Sequence, residues 1–81
     1  MTNTNKKVII YSTSTCPYCV YAKNFFKSKN IPFEDVDLFV QRDRIEEARR
    51  KSGQNGVPVI DIDGQIVLGY QPDVFEKLLN K

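Results

Sequence analysis

Apolar residues along this chain come in short bursts, and their spacing changes from one segment to the next. Lys7 to Tyr11 is β-branched and apolar without alternation, the pattern of a strand buried on both faces. The polar turn Ser12-Thr13-Ser14-Thr15 follows it. From Pro17 to Lys29 the spacing becomes helical. Val20, Ala22, Phe25 and Phe26 form the inward side, while Lys23, Asn24, Lys27 and Lys29 face water. Asn30 suits the left-handed conformation at which helices often stop. Phe33 to Asp37 reads as a shorter, more polar strand. Asp43 is placed to cap a second helix reaching Ser52, with Glu46 three residues on as in a capping box, and Gly53 ends it.

The second half has different punctuation. Val57 to Ile62 is a strand with Pro58 at its start. Asp63-Gly64 is the strongest hairpin signal in the chain, and Gln65 to Leu68 is the returning strand. Gly69 to Pro72 leads into a last helix ending near Leu79, with Pro72 fitted to its first turn. The order is therefore β-α-β-α-β-β-α. Alternation implies parallel pairing in the first half, and the tight turn implies an antiparallel hairpin in the second. The fold class expected is α/β: a four-stranded mixed sheet with three helices, in a thioredoxin-like architecture.

Composition narrows the function. The 81 residues support a single domain over 1–81, with residues 1–6 as a flexible polar leader. Net charge is +2, and the densest basic run, Arg49-Arg50-Lys51, is too short for a nucleic-acid stripe; it reads as solvated surface. No apolar run approaches the ~20 residues of a membrane helix. Val8-Ile9-Ile10-Tyr11 is too short for a signal-peptide core. The expectation is a cytoplasmic protein that engages neither nucleic acid nor membrane. Two cysteines cannot staple a secreted scaffold, so the pair is catalytic or metal-binding. Zinc usually needs four ligands, and the chain has two Cys and no His, so no metal site is expected.

The chemistry sits at Cys16-Pro17-Tyr18-Cys19. Disulfide exchange needs a nucleophilic sulfur and a second thiol that can reach it. Two intervening residues place the cysteines about one helical turn apart. Cys16 falls where a strand ends and a helix begins, where unpaired N–H groups and the helix dipole favour a thiolate. Cys16 is thus the attacking sulfur and Cys19 the resolving one. Pro17 pre-sets the first turn. Tyr18 is exposed and can wall a substrate groove.

With these residues in place, the chain resembles the glutaredoxins over about residues 7–80. Three motifs carry the likeness, in the family's order: Cys16-Pro17-Tyr18-Cys19 continued by Ala22-Lys23 and Phe25-Phe26; Gly56-Val57-Pro58, where the family has Thr-Val-Pro with a cis proline; and Leu68-Gly69-Tyr70 leading into Gln71-Pro72-Asp73. The resemblance implies glutathione as co-substrate, with no tightly bound cofactor. Val57 would pair its backbone with the cysteine portion of glutathione, and Pro58, in cis, would pack beside the sulfurs. The turn Gly69-Tyr70-Gln71 and the start of the last helix would hold the γ-glutamyl carboxylate. Asp73 would accept the ammonium. The partners implied are glutathione, disulfide-containing or glutathionylated proteins and a reductase system, and the chain is expected to be a monomer.

The departures keep other readings open. Many glutathione-using members carry Lys three residues before the first cysteine; here it is Thr13. Leu68 replaces the first glycine of the family's pair, and Pro72 removes an N–H from the carboxylate end. The string from Gly69 to Asp73 is also similar to glutaredoxin-like redoxins that thioredoxin reductase reduces. Such a redoxin supplies electrons to ribonucleotide reductase or a peroxidase. A third reading is an iron–sulfur carrier that shares a cluster between two chains through Cys16 and glutathione. Pro17 counts against it, because cluster-binding relatives usually have a smaller or more flexible residue there.

Overall fold

A computed structural model describes residues 6–54 and 56–80. The leader expected over residues 1–6 lies, apart from Lys6, outside them. Four strands and three helices alternate in the order read from the pattern: β1 Val8–Ser12, α1 Pro17–Ser28, β2 Glu34–Asp37, α2 Ile45–Ser52, β3 Val59–Ile62, β4 Gln65–Leu68 and α3 Pro72–Leu79. The sheet order is β2-β1-β3-β4. β1 and β2 run parallel, and β3 is antiparallel to both β1 and β4. β1 lies inside the sheet and is buried at every position, as its unalternating sequence requires.

The two faces are held by different forces. On one, Val8, Ile10, Ile60, Ile62 and Val67 of the sheet meet Ala22 and Phe26 of α1 and Phe75 of α3. Phe25, Phe26 and Phe75 form a three-ring cluster, with the Phe25 centroid 5.1 and 5.3 Å from the other two and those 5.2 Å apart. The inward stripe of α1 is Cys19, Ala22 and Phe26. Val20, expected inside, is about half exposed. Cys19 takes the inward place, and the neighbouring position is rotated about 100° away from it.

The other face carries α2, which contributes one buried side chain, Ala48. Burial alone holds so short a helix poorly. Ion pairs do the rest, because α2 lies across the strands. Arg44, just before it, pairs with Glu34 of β2 at 3.1 Å. Glu47 accepts the phenol of Tyr11 on β1. Lys51 reaches Asp61 of β3 at 2.7 Å and Tyr11 Oη at 2.8 Å. Lys51, expected in a solvated basic run, is therefore a tie between helix and sheet.

The helix start differs too. A 3-10 turn over Arg42–Arg44 precedes α2, and neither Asp43 nor Glu46 makes a cap. The Ile45 amide that an Asp43 cap would serve is already held by the Arg42 carbonyl, which places Asp43 inside the turn. Other punctuation is as expected. Asn30 and Gly53 end their helices at φ 58° and 73°, and Asp63 and Gly64 turn the hairpin at φ 52° and 93°. Strand β3 starts at Val59, leaving Val57 and Pro58 in the loop before it.

The Glu47 cluster generates a pH prediction. Bonds from Arg44 and then Tyr11 hold the Glu47 carboxyl at about 2, against an ordinary value of 4.5. A depressed carboxyl adds stability above its unfolded value and loses it as pH falls through the folded one. Stability should decline as the pH drops through that window, and Glu47→Gln should flatten the decline in urea titrations across it. Tyr11→Phe takes one partner each from Glu47 and Lys51, which keep Arg44 and Asp61, and should cost about 1 kcal/mol by the same measurement.

Candidate active site

Ser12 ends β1 completely buried, and the turn after it brings the chain to the start of α1. Cys16 is the N-cap residue, with φ −97° and ψ 110°. A helix start leaves amides without intrahelical partners, and a side-chain oxygen normally accepts one of them. Here sulfur takes that place: Cys16 Sγ accepts the Cys19 amide at 3.2 Å. Pro17 fills the first helical position, where its missing N–H leaves nothing unpaired. The Cys16 thiol also donates to the Val57 carbonyl at 3.9 Å.

Both cysteines are free thiols, and their environments differ. Cys16 is partly accessible, whereas Cys19 faces the sheet and is fully buried. Burial pushes the Cys19 thiol up to about 12, and its contact with Cys16 adds to the rise. The pair thus offers one sulfur to a partner from outside and keeps a second, protonated at neutral pH, one turn behind it.

Two further segments complete the surroundings. The Val57–Pro58 peptide is cis. Pro58 is buried, and its carbonyl accepts the Gly69 amide at 3.0 Å, so the loop before β3 and the end of β4 are tied together beside Cys16. Gly69 has φ 81°, a conformation that disfavours side chains. Of the residues picked out from sequence, Val57 contacts Cys16 directly, and Gly69 is bonded to Pro58, the residue after it.

Tyr18 and Tyr70 are joined at one remove. Tyr21 stands between them, with centroids 5.8 Å from each, and Tyr70 continues the row to Phe75 at 6.2 Å. Tyr21 was not among the site residues read from sequence. The available signal was its spacing of three from Tyr18, which puts both on the side of α1 turned toward α3. Gln71 turns back on its own loop, its side-chain Nε2 donating to the Leu68 carbonyl at 2.6 Å. The Gln71 carbonyl accepts the amides of Val74 and Phe75, both at 3.0 Å. Asp73 is exposed on the first turn of α3 and enters none of these contacts. Thr13 meets the site through its backbone, its carbonyl accepting the Cys16 amide at 3.4 Å. Among the described residues no group of three or more His, Cys, Asp or Glu could hold a metal ion.

An accessible sulfur capping a helix, a buried sulfur one turn on and a cis proline alongside form an arrangement with known counterparts. The glutaredoxin family model matches residues 8–67. An 8.6 kDa glutaredoxin-like protein of Clostridium pasteurianum, from a rubredoxin operon, is 49% identical over 72 residues, covering 89% of this chain and 96% of that one. Glutaredoxin 1 of Rickettsia typhi is 36% identical over 76% of this chain, which spans only 62% of that relative's length. The crystal structure of a glutaredoxin from Archaeoglobus fulgidus superposes with a TM-score of 0.84 at 28% identity, covering 95% of this chain and 89% of the other. A dithiol built on this fold, matched over most of the chain by model and relatives alike, places the protein in the glutaredoxin family.

Proposed function

We propose that the protein is a glutathione-linked thiol–disulfide oxidoreductase, reducing protein disulfides and glutathione mixed disulfides. The observation that carries the reading is the difference between the sulfurs: Cys16 accessible at the helix start, Cys19 buried behind it. Cys16, as thiolate, attacks the substrate disulfide, forms a mixed disulfide and releases one substrate thiolate. Cys19 or glutathione then attacks Cys16 Sγ and frees the second. Glutathione lies in a groove bounded by Tyr18, Val57, Pro58, Gly69, Tyr70, Gln71 and Asp73, with Val57 offering backbone and Asp73 charge. The protein works in the cytoplasm, as a monomer, with no tightly bound cofactor.

Supply of electrons by thioredoxin reductase is the second reading, and particular residues favour it. Thr13 puts no cation before the dithiol, and Pro72 and the folded-back Gln71 narrow the carboxylate end. The exposed row Tyr18, Tyr21 and Tyr70 suits an apolar protein surface better than a charged tripeptide. NADPH supplied with glutathione and its reductase, or with thioredoxin reductase, decides between them by which system turns the protein over.

Cys16→Ser should abolish all turnover. Cys19→Ser should keep deglutathionylation of small mixed disulfides, which needs one thiol, and lose reduction of protein disulfides. Activity surviving in Cys16→Ser, or alkylation of Cys19 ahead of Cys16 in mildly acid solution, would reverse the assignment.

An NMR titration tests the groove. Glutathione should shift residues 57–58 and 69–73, and Asp73→Ala should weaken binding. Thr13→Lys should tighten it by up to about fivefold, more at low salt than at high, as befits an exposed charge contact. Shifts confined to other regions would remove glutathione from this groove.

A further inference from the structure

Cys19 poses a difficulty for the reaction. It must become a thiolate to resolve the mixed disulfide, yet burial and its contact with Cys16 hold the proton on it. The chain has no histidine to take that proton near neutral pH. The face of the sheet beneath α1 is otherwise lined by Val8, Ile10, Ile60 and Ile62.

One polar cluster breaks that apolar surface. Lys23 lies four residues after Cys19 on α1, one turn along the same side. A lysine on a surface helix normally extends into water, but the Lys23 side chain is only 19% exposed. Its Nζ is held 3.0 Å from Asp35 Oδ1 of β2. Asp35 pairs with Ile10 in the sheet, on the side that faces α1. Ser12, fully buried at the end of β1, donates to the same Oδ1 at 3.4 Å. Asp35 thus keeps the ammonium folded against the helix rather than out in solvent.

We propose that Lys23, tethered by Asp35 and Ser12, is the positioning residue for Cys19, stabilising the resolving thiolate while it attacks the mixed disulfide on Cys16. The proposal rests on the dithiol reading given above. In the step, Cys19 gives its proton to water and its thiolate attacks Cys16 Sγ. The Cys16–Cys19 bond forms as the bond to the substrate sulfur breaks. The substrate leaves as a thiolate and takes up a proton. The Cys19 sulfur is oxidised, the substrate sulfur is reduced, and no outside oxidant is needed.

Little else charged bears on Cys19. From α1 the groups are Cys16, whose contact works against ionisation, and Lys23, whose charge works for it; the uncharged backbone of Thr13, in the turn before α1, also hydrogen-bonds Cys19 in favour of the thiolate. β2 contributes Asp35 through Lys23, and β1 the neutral Ser12. Ile60 of β3 and Phe75 of α3 are apolar. Tyr11, Glu47, Lys51 and Asp61 form their own network on the opposite face. Lys29, farther along α1, is engaged by Glu76 at 2.6 Å. Cys19 itself is fully buried and the Lys23 side chain is largely covered, so that charge is screened less than at an open surface.

Stopped-flow reaction with dithionitrobenzoate separates the two steps. Attack by Cys16 releases one coloured thiolate at a rate proportional to reagent. Resolution by Cys19 releases a second at a rate independent of it. In Lys23→Gln the second phase should slow about tenfold at neutral pH, its pH profile moving about one unit to the alkaline side. Lys23→Arg should restore both. The urea midpoint of Lys23→Gln should stay near that of the parent, because a half-exposed ion pair contributes little to stability. A second phase in Lys23→Gln with the parent's pH profile overturns the proposal. A second phase that persists in Cys19→Ser overturns the dithiol reading instead, and this proposal with it.

Discussion

The contact on which the rest of the structure turns is the 3.2 Å hydrogen bond from the Cys19 amide to Cys16 Sγ. A helix beginning directly after a buried strand must find acceptors for its first amides, and here the acceptor is sulfur. The same bond that caps α1 concentrates positive potential on the atom that reacts. It also explains the spacing. The amide that a cap can reach belongs to the second or third residue of the helix, so the residue supplying it lies three positions on. The phase of α1 then points that residue at the sheet, in line with Ala22 and Phe26. Accessibility of one sulfur and burial of the other are therefore consequences of a single helix start.

That start needs a rigid base, and the sheet's two faces provide it in different ways. Beneath α1 and α3 the filling is mainly apolar and aromatic, broken by the Lys23–Asp35 pair. Beneath α2 the work falls on Arg44, Glu47, Lys51, Asp61 and the Tyr11 phenol, which together cross β2, β1 and β3. Tyr11 lies on β1, the strand that delivers the chain to Cys16. Acid loosening of the ionic face thus acts on the strand that aims the nucleophile, while the apolar face holds α1 in register.

Much of this was legible in the chain because it depends on local chemistry. An unalternating apolar run can only be an inner strand, Asp63-Gly64 has few conformations besides a hairpin, and a CxxC at a strand–helix junction has one plausible geometry. What escaped was set by partners distant in sequence. Asp43 has the composition of a cap, but the Ile45 amide it would serve is taken by the Arg42 carbonyl. Lys51 looks like any lysine in a basic run until β3 brings Asp61 beneath it. Val20 and Cys19 compete for one inward direction, and the pattern of apolar residues favours valine where packing selects the sulfur. Tyr21 and Lys23 are missed for the same reason, since their neighbours Tyr70 and Asp35 lie in other elements.

The question of the electron donor reduces to which forces the groove can exert on a ligand. Glutathione is small and carries charge at both ends, so a site that selects it must supply backbone for its centre and opposite charges for its ends. On the proposed reading the centre would meet the loop of Val57 and Pro58 beside Cys16. The ends are provided for less fully: Thr13 is neutral, Pro72 has no amide to give, and Gln71 is bonded to Leu68. A protein partner does not depend on those ends. It can spread over the Tyr18–Tyr21–Tyr70 row, where aromatic side chains give contact area at small entropic cost. On the proposed mechanism both kinds of partner meet the same sulfur with the same chemistry. The discrimination between them lies outside the dithiol, in the residues that flank it, and so can shift by a few substitutions without disturbing the cap on which catalysis rests.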